Sequence, residues 1–220
     1  MPGILVNKLY DFKGHRDSVY ALAAHDGNNF FSSGGDGLVA GWNMDHPDQG
    51  NVLAKVPNSV YALHHLVDKN LLAVGHNQDG LHLIDLAKKK EVISVNLTSN
   101  SIFDIQSFQD FLIVATGDGL LVLVDRNNLS VVKKIKACNC IKIKNGKLYG
   151  YNTDIAGFEK SLKKNWNPFL HSHALVLGTG GSAKAVKYVL DKYDIKYKKV
   201  SRKPSADSYS YEQLTRSIIS

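Results

Sequence analysis

One feature fixes most of what this chain can build: its first part repeats at offsets of 41 and 42 residues. Ser18-Val19-Tyr20-Ala21-Leu22 returns as Ser59-Val60-Tyr61-Ala62-Leu63, then as Ser101-Ile102-Phe103-Asp104-Ile105. An Asp-Gly pair recurs in step, at Asp36-Gly37, Asp79-Gly80 and Asp118-Gly119. Each pair leads into an alternating run, Val39 to Asn43, Leu81 to Asp85 and Leu121 to Asp125. Asp-Gly is a tight-turn signal, and alternation with period two places every second side chain on one sheet face. Several short strands per unit and a period near 40 are the signature of a β-propeller blade. Three blades are expected, up to about residue 136.

The details of the repeat resemble the WD-repeat propeller family. Gly14-His15 stands at its Gly-His start, and Trp42-Asn43, Ile84-Asp85 and Val124-Asp125 stand where its Trp-Asp dipeptide falls. The resemblance covers residues 4 to 136 and implies an interaction platform for a protein partner, with no chemistry of its own. Closure of such a ring takes 4 to 8 blades, so three blades imply an open arc whose edges invite pairing with another chain. Residues 4–12 read as an outer strand. His15 is expected to hydrogen-bond within its blade. His64, His65, His76 and His82 lack the spacing of a metal site, and so does the Cys138-x-Cys140 pair.

The repeat breaks at about residue 137. Asn145-Gly146 between alternating runs predicts a type I′ hairpin, and a helix is expected from Ile155 to Leu162. The apolar run Ala174 to Leu177 reads as a buried parallel strand. A glycine loop follows at once, Gly178-Thr179-Gly180-Gly181-Ser182-Ala183, and then an amphipathic helix with Ala185, Val186, Val189 and Leu190 on one face. A second strand, roughly Tyr197 to Ser201, ends in Ser201-Arg202-Lys203. Strand, glycine turn, helix and strand in this order suit a dinucleotide-binding βαβ unit. Gly178 permits the turn, Gly180 lets backbone approach a pyrophosphate, and Ala183 allows close helix–strand packing. The helix's first N–H groups then face the phosphates. An NAD site wants an acidic residue at the second strand end. Ser201, Arg202 and Lys203 suit a 2′-phosphate instead, so NADP is favoured. Tyr209 to Ser220 reads as the next helix. The fold class expected is multi-domain: an all-β partial propeller over 1–136, then a Rossmann-like α/β segment over 137–220. That segment has its hairpin and linking helix at 139–165 and its βαβα unit at 174–220.

Charge divides along the same line. Residues 1–136 carry 12 Lys+Arg and 14 Asp+Glu, net −2, whereas residues 137–220 carry 15 and 6, net +9. The lysines of the basic half are scattered, with few aromatics among them, so an anionic cofactor explains them more cheaply than nucleic acid. No apolar run approaches the ~20 residues that span a bilayer. Neither a signal pattern nor a disulfide framework is present, which makes a cytoplasmic setting the default.

Residues 139–220 resemble the shikimate dehydrogenase family. The resemblance rests on Asn139-Cys140-Ile141, on Gly150-Tyr151-Asn152-Thr153-Asp154-Ile155-Ala156-Gly157-Phe158, on the glycine loop through Lys184, and on Ser201-Arg202-Lys203. It implies hydride transfer between NADP and the 3-dehydroshikimate/shikimate pair. It implies that Asn139 and Asp154 contact substrate hydroxyls, and that Asp154 pairs with a catalytic lysine acting as general acid/base. In the family that lysine lies upstream, in a substrate domain that the repeats replace here, so no residue takes its role and no turnover is expected. Lys147 to Ile155 also resembles a blade segment, and residues 139–152 are candidates to pair onto the third blade. Three readings stay open: a dehydrogenase-like NADP binder, a WD-repeat interaction scaffold, and a chimeric chain with no function.

Overall fold

The computed structural model describes residues 6–78, 80–136, 138–171 and 173–215. The chain divides into two compact units, Met1–Lys134 and Ile135–Ser220. No helix of the described residues is long and apolar enough to cross a membrane.

The first unit is three antiparallel four-stranded sheets, each with its strands paired in chain order. Sheet one holds β1 (Val19–Ala24), β2 (Asn29–Gly34), β3 (Leu38–Asn43) and β4 (Asn51–Lys55). Sheet two holds β5 (Val60–Leu66), β6 (Leu71–His76), β7 (Gly80–Asp85) and β8 (Lys90–Val95). Sheet three holds β9 (Ile102–Phe108), β10 (Phe111–Thr116), β11 (Leu120–Asp125) and β12 (Val131–Lys136). The alternation in the middle sheet explains the packing. Along β6, Leu72 and Val74 join a core with Phe31 and Val39 of sheet one. Ala73, with Leu81 and Leu83 of β7, joins a second core with Ile102, Ile105, Leu112 and Val124 of sheet three. Sheet two is therefore buried on both faces.

The recurrent polar residues do local work. Gly37 takes a φ of +72°, and a Cβ there would lie 2.3 Å from the Val56 carbonyl, so the turn into β3 requires glycine. Asn43, Asp85 and Asp125 end equivalent strands. Each side chain accepts N–H bonds from the turn that follows: from Asp45, from Ala87 and Lys88, and from Asn127 and Asn128. That is an Asx turn, and it gives a reason for an Asp or Asn at this place in every repeat. In sheet one, His15 Nδ1 lies 3.0 Å from Asp36 and its Nε2 2.7 Å from Ser32 Oγ, which also accepts from Trp42 Nε1. His15 is thus bonded within its blade. Burial pushes the Asp36 carboxyl up, but bonds from the Arg16 amide, His15 and the Leu38 amide outweigh it and hold the group below the usual range.

One expectation for this unit needs revision. Residues 6–12 form no strand. Phe12 packs edge-on against Phe30 and Trp42 instead, at 5.0 and 5.7 Å between ring centroids, so burial of its ring sets the path of this segment. Ile4, Leu5 and Asp79 lie outside the described residues.

The second unit opens with β13 (Cys140–Lys144) and β14 (Lys147–Tyr151), joined through Asn145 (φ +50°) and Gly146 (φ +68°). Both φ values are positive, as a type I′ turn demands. Among the described strands β13 and β14 pair only with each other, so the expected pairing of 139–152 onto the third blade is not found. Helix α1 (Thr153–Asn165) starts on Asn152, whose side chain accepts from the Asp154 and Ile155 amides. Strand β15 (His173–Leu177) pairs in parallel with β16 (Lys196–Val200), and α2 (Gly181–Lys192) lies between them in sequence. Val176, Ala183, Leu190 and Ile195 form the core, with Phe158, Leu162 and Trp166 packed against it.

Of the helix expected from Tyr209 to Ser220, the described residues 209–215 contain none. Tyr209 instead makes a parallel bridge to Val200, accepting from Ser201 N and donating to the Lys199 carbonyl. Once the sheet edge claims those backbone groups, no helix can begin at 209. Ser210 and Gln213 then close a reciprocal capping box, Ser210 N to Gln213 Oε1 and Gln213 N to Ser210 Oγ. Residues 216–220 lie outside the described residues.

Glu159 of α1 ties the two helices together, accepting from Tyr193 Oη at 2.6 Å and from Lys192 Nζ at 3.0 Å, with Lys163 Nζ also at 3.0 Å. These partners, Tyr193 first, hold its carboxyl down at about 2, against 4.5 unperturbed. A depressed folded pKa contributes stability above the unfolded value and loses it as pH falls toward the folded one. The packing of α1 on α2 is therefore expected to hold above pH 4.5 and to weaken as pH falls to about 2. Carboxyl chemical shifts followed by NMR should place the Glu159 midpoint near the lower value, and Glu159→Gln should abolish that acid limb.

Candidate functional site: a glycine loop facing a basic strand end

Strand β15 ends at Leu177, and Gly178 turns the chain with a φ of +104°. Its amide donates to the Val200 carbonyl at 2.8 Å, fixing the loop to the end of β16. Helix α2 then begins on Gly180 with no side-chain cap. The N–H groups of its first turn have no partner within the helix. A Cβ built on Gly178, Gly180 or Gly181 would meet nothing within 4 Å, so open space lies over the loop. Ala183 is 9% exposed and packs into the core, which is why a small residue stands there.

Across from the loop, Ser201 is buried at the end of β16. Its Oγ lies 3.4 Å from Thr179 Oγ1 and accepts from Lys203 N at 3.2 Å. Gly178, Thr179, Gly180, Ser201, Arg202, Lys203 and Tyr211 line one cavity of about 640 Å³. Its size is ordinary for a small-molecule site. Hydroxyls and two cations dominate its polar lining, a set suited to an anion. Of the expected residues, Gly181, Ser182 and Ala183 are on the first turn of α2 and are not among those that line the cavity. Tyr211 was not anticipated. Its signal was the Ser210-x-x-Gln213 pattern, which fixes the turn that carries it.

Asn139 bonds Thr153, the residue before Asp154, some distance along the unit's sequence from the loop. Asn139 Oδ1 accepts from the Thr153 amide at 2.8 Å and from Thr153 Oγ1 at 3.1 Å, and its own amide donates to the Tyr151 carbonyl. Asp154 is the next residue, in the first turn of α1, where the helix dipole favours a carboxylate. Both side chains face solvent. Among the described residues no lysine forms an ion pair with Asp154.

The histidines of the first unit are spread over separate contacts. His64 bonds Ser107 Oγ, His65 packs at a tilt against His25 with ring centroids 4.6 Å apart, and His76 Nε2 lies 2.7 Å from His82 Nε2. His82 in turn pairs with Glu91.

Comparison with known proteins matches this division. The family model for the WD domain, G-beta repeat, matches residues 6–43. Among solved structures, the WD40 beta propeller domain of Doa1 superposes with a TM-score of 0.54 and 19% identity, over 60% of this chain and 46% of that one. The computationally designed Ika4 protein gives 0.53 and 16% identity, over 67% of this chain and 98% of that one. The first of these supports propeller blades as the fold. Among curated proteins, the shikimate dehydrogenase (NADP(+)) of Aquifex aeolicus is 52% identical over 60 residues, 27% of this chain and 22% of the relative. That of Clostridium beijerinckii is 36% identical over 127 residues, 57% of this chain and 41% of the relative. The second match is longer than the second unit and so reaches back into the blades. The chain spans less than half the length of either relative. One polypeptide thus joins a segment matching WD-repeat propeller blades to a segment similar to the shikimate dehydrogenases, as the chimeric reading requires.

Proposed function

We propose that the second unit, read from the sequence as the domain 137–220, binds NADP(H) in the manner of a shikimate dehydrogenase, and that β15, α2 and β16 are a Rossmann-like βαβ unit. The observation that carries this reading is the single cavity shared by the glycine loop and Ser201, Arg202 and Lys203. The residues fit the cofactor. Gly180 and Gly181 leave room for a pyrophosphate over the first-turn amides of α2, and the two cations with Ser201 supply partners for a 2′-phosphate. Tyr211 offers the cavity's aromatic wall. The bound cofactor would supply or accept hydride. Asn139 and Asp154 would meet the hydroxyls of shikimate or 3-dehydroshikimate, with Asp154 set beside a general acid/base. No lysine is paired with it among the described residues, so we assign cofactor binding, not turnover, to this chain. Cytoplasmic residence accompanies this reading.

Calorimetric titration of the full chain with NADP⁺, NAD⁺ and adenosine 2′,5′-bisphosphate tests it. NADP⁺ and the bisphosphate are expected to bind at least about tenfold more tightly than NAD⁺, the scale of one charge-assisted contact. Equal affinity for the two dinucleotides, or none for either, sinks the proposal. Shikimate-dependent formation of NADPH would refute the non-catalytic part alone.

The first unit supports a second, separate function, since its fold is that of WD-repeat blades. We propose it as a platform for a protein partner.

A further inference from the structure

Tyr20, Tyr61 and Phe103 hold the same position in the three repeats, and each sits at a β-bulge. Val19 and Ala21 pair with the adjacent residues Gly34 and Ser33, so Tyr20 has no partner across the strand. Val60 and Ala62 skip Tyr61 against His76 and Gly75 in the same way. Ile102 and Asp104 skip Phe103 against Thr116 and Ala115. The same backbone bond precedes each bulge: Gly35 N to Ser18 O, Asn77 N to Ser59 O, and Gly117 N to Ser101 O. A bulge re-aims the side chain of its extra residue. Here all three are aromatic, and their rings stand in a row across the sheets, 4.8 Å from Tyr20 to Tyr61 and 5.6 Å from Tyr61 to Phe103. Tyr20 is 49% exposed and Phe103 57%. The serine two residues ahead of the ring bonds the neighbouring blade: Ser59 Oγ donates to Gly35 O, and Ser101 Oγ to Asn77 Oδ1. The row is therefore braced from blade to blade, whereas neither tyrosine hydroxyl has a partner among the described residues.

We propose that this row is a docking surface for an extended peptide segment bearing an arginine, seated on Tyr61 and Phe103. Charge favours that occupant. Asp104 follows Phe103, and Asp17 lies on the loop ahead of Tyr20. Both are exposed, and neither forms an ion pair among the described residues. Arg16 on that same loop repels a cation at the Tyr20 end, which moves the seat toward Phe103. A guanidinium stacks flat on an aromatic face and still directs its N–H fork at a carboxylate or a phenol oxygen, which an ammonium does less well. The inference rests on the reading of the first unit as a platform for a protein partner and is independent of cofactor binding by the second unit.

The test uses the full chain and an acetylated, amidated hexapeptide with two arginines in a glycine–serine frame. Tyrosine fluorescence and the guanidinium proton signals follow its titration. Binding is expected to exceed that of the matched lysine peptide and to be absent for the alanine peptide. Phe103→Ala and Phe103→Leu should each weaken it about tenfold, with circular dichroism unchanged. The leucine variant keeps apolar bulk at an exposed site, so it separates loss of the π face from loss of folding. Undiminished binding to Phe103→Leu, or equal binding of the arginine and alanine peptides, overturns the proposal. A dimer in sedimentation that Phe103→Ala abolishes, without peptide binding, would also overturn it by showing a second copy as the occupant.

Discussion

Leu83→Ala lowers the stability of the first unit by about 3 kcal/mol, within the usual 2–5 kcal/mol for emptying a fully packed leucine site. Leu83 is 1% exposed on β7, in the sheet that has neighbours on both faces. Its core partners, among them Ile102, Ile105 and Leu112, come from the facing sheet, whose strands hold them in fixed register. The cavity cannot collapse without moving two paired sheets against each other, so the loss sits above the transfer energy of the deleted atoms. Val52→Ala is the matched control. Val52 is 55% exposed on β4, and its truncation should stay within about 0.5 kcal/mol. Urea unfolding followed by Trp42 fluorescence, with Trp166→Phe as background, measures both. Equal effects at the two positions would show that the middle sheet is not the centre of the unit's packing.

If the second unit binds NADP⁺ as proposed, Arg202→Ala is expected to weaken that binding by about 10- to 100-fold and to leave NAD⁺ binding nearly unchanged. The magnitude follows from the 1.5–3 kcal/mol of a hydrogen bond to a charged group. Selectivity follows from the geometry: Arg202 and Lys203 end the strand opposite the glycine loop, where only the adenosine 2′-phosphate needs a cation. On the proposed reading the pyrophosphate would rest on α2 amides that the substitution does not touch. Raising ionic strength should shrink the difference, because both cations face solvent and are screened. Competition of the two dinucleotides against adenosine 2′,5′-bisphosphate reads this out. An equal loss for NADP⁺ and NAD⁺ would make Arg202 a source of general attraction and not a partner of the 2′-phosphate.

The parts legible in the sequence were those encoded by neighbours in the chain. Asp-Gly turns and alternating runs predicted the strands of each blade, because turn backbone and strand pleat are set by a few consecutive residues. The hairpin at Asn145-Gly146 and the turn at Gly178 were visible for the same reason. Tyr209 shows where this failed. Its surroundings read as a helix start, but the free edge of β16 took its backbone groups. The three aromatics were visible only as a repeated letter pattern. Nothing in the pattern shows that each sits at a bulge, since a bulge is defined by the register of the partner strand.

By itself the sequence determined the blade repeat, the glycine turn and the chemistry of Ser201-Arg202-Lys203. Each depends on backbone preferences and charges carried by a short segment. Tertiary structure alone decided that sheet two is buried on both faces, that Tyr211 lines the same cavity as the glycine loop, and that Tyr20, Tyr61 and Phe103 form one row. Those facts depend on distances between residues far apart in the chain, and such distances are set by packing and strand register, which no local pattern encodes.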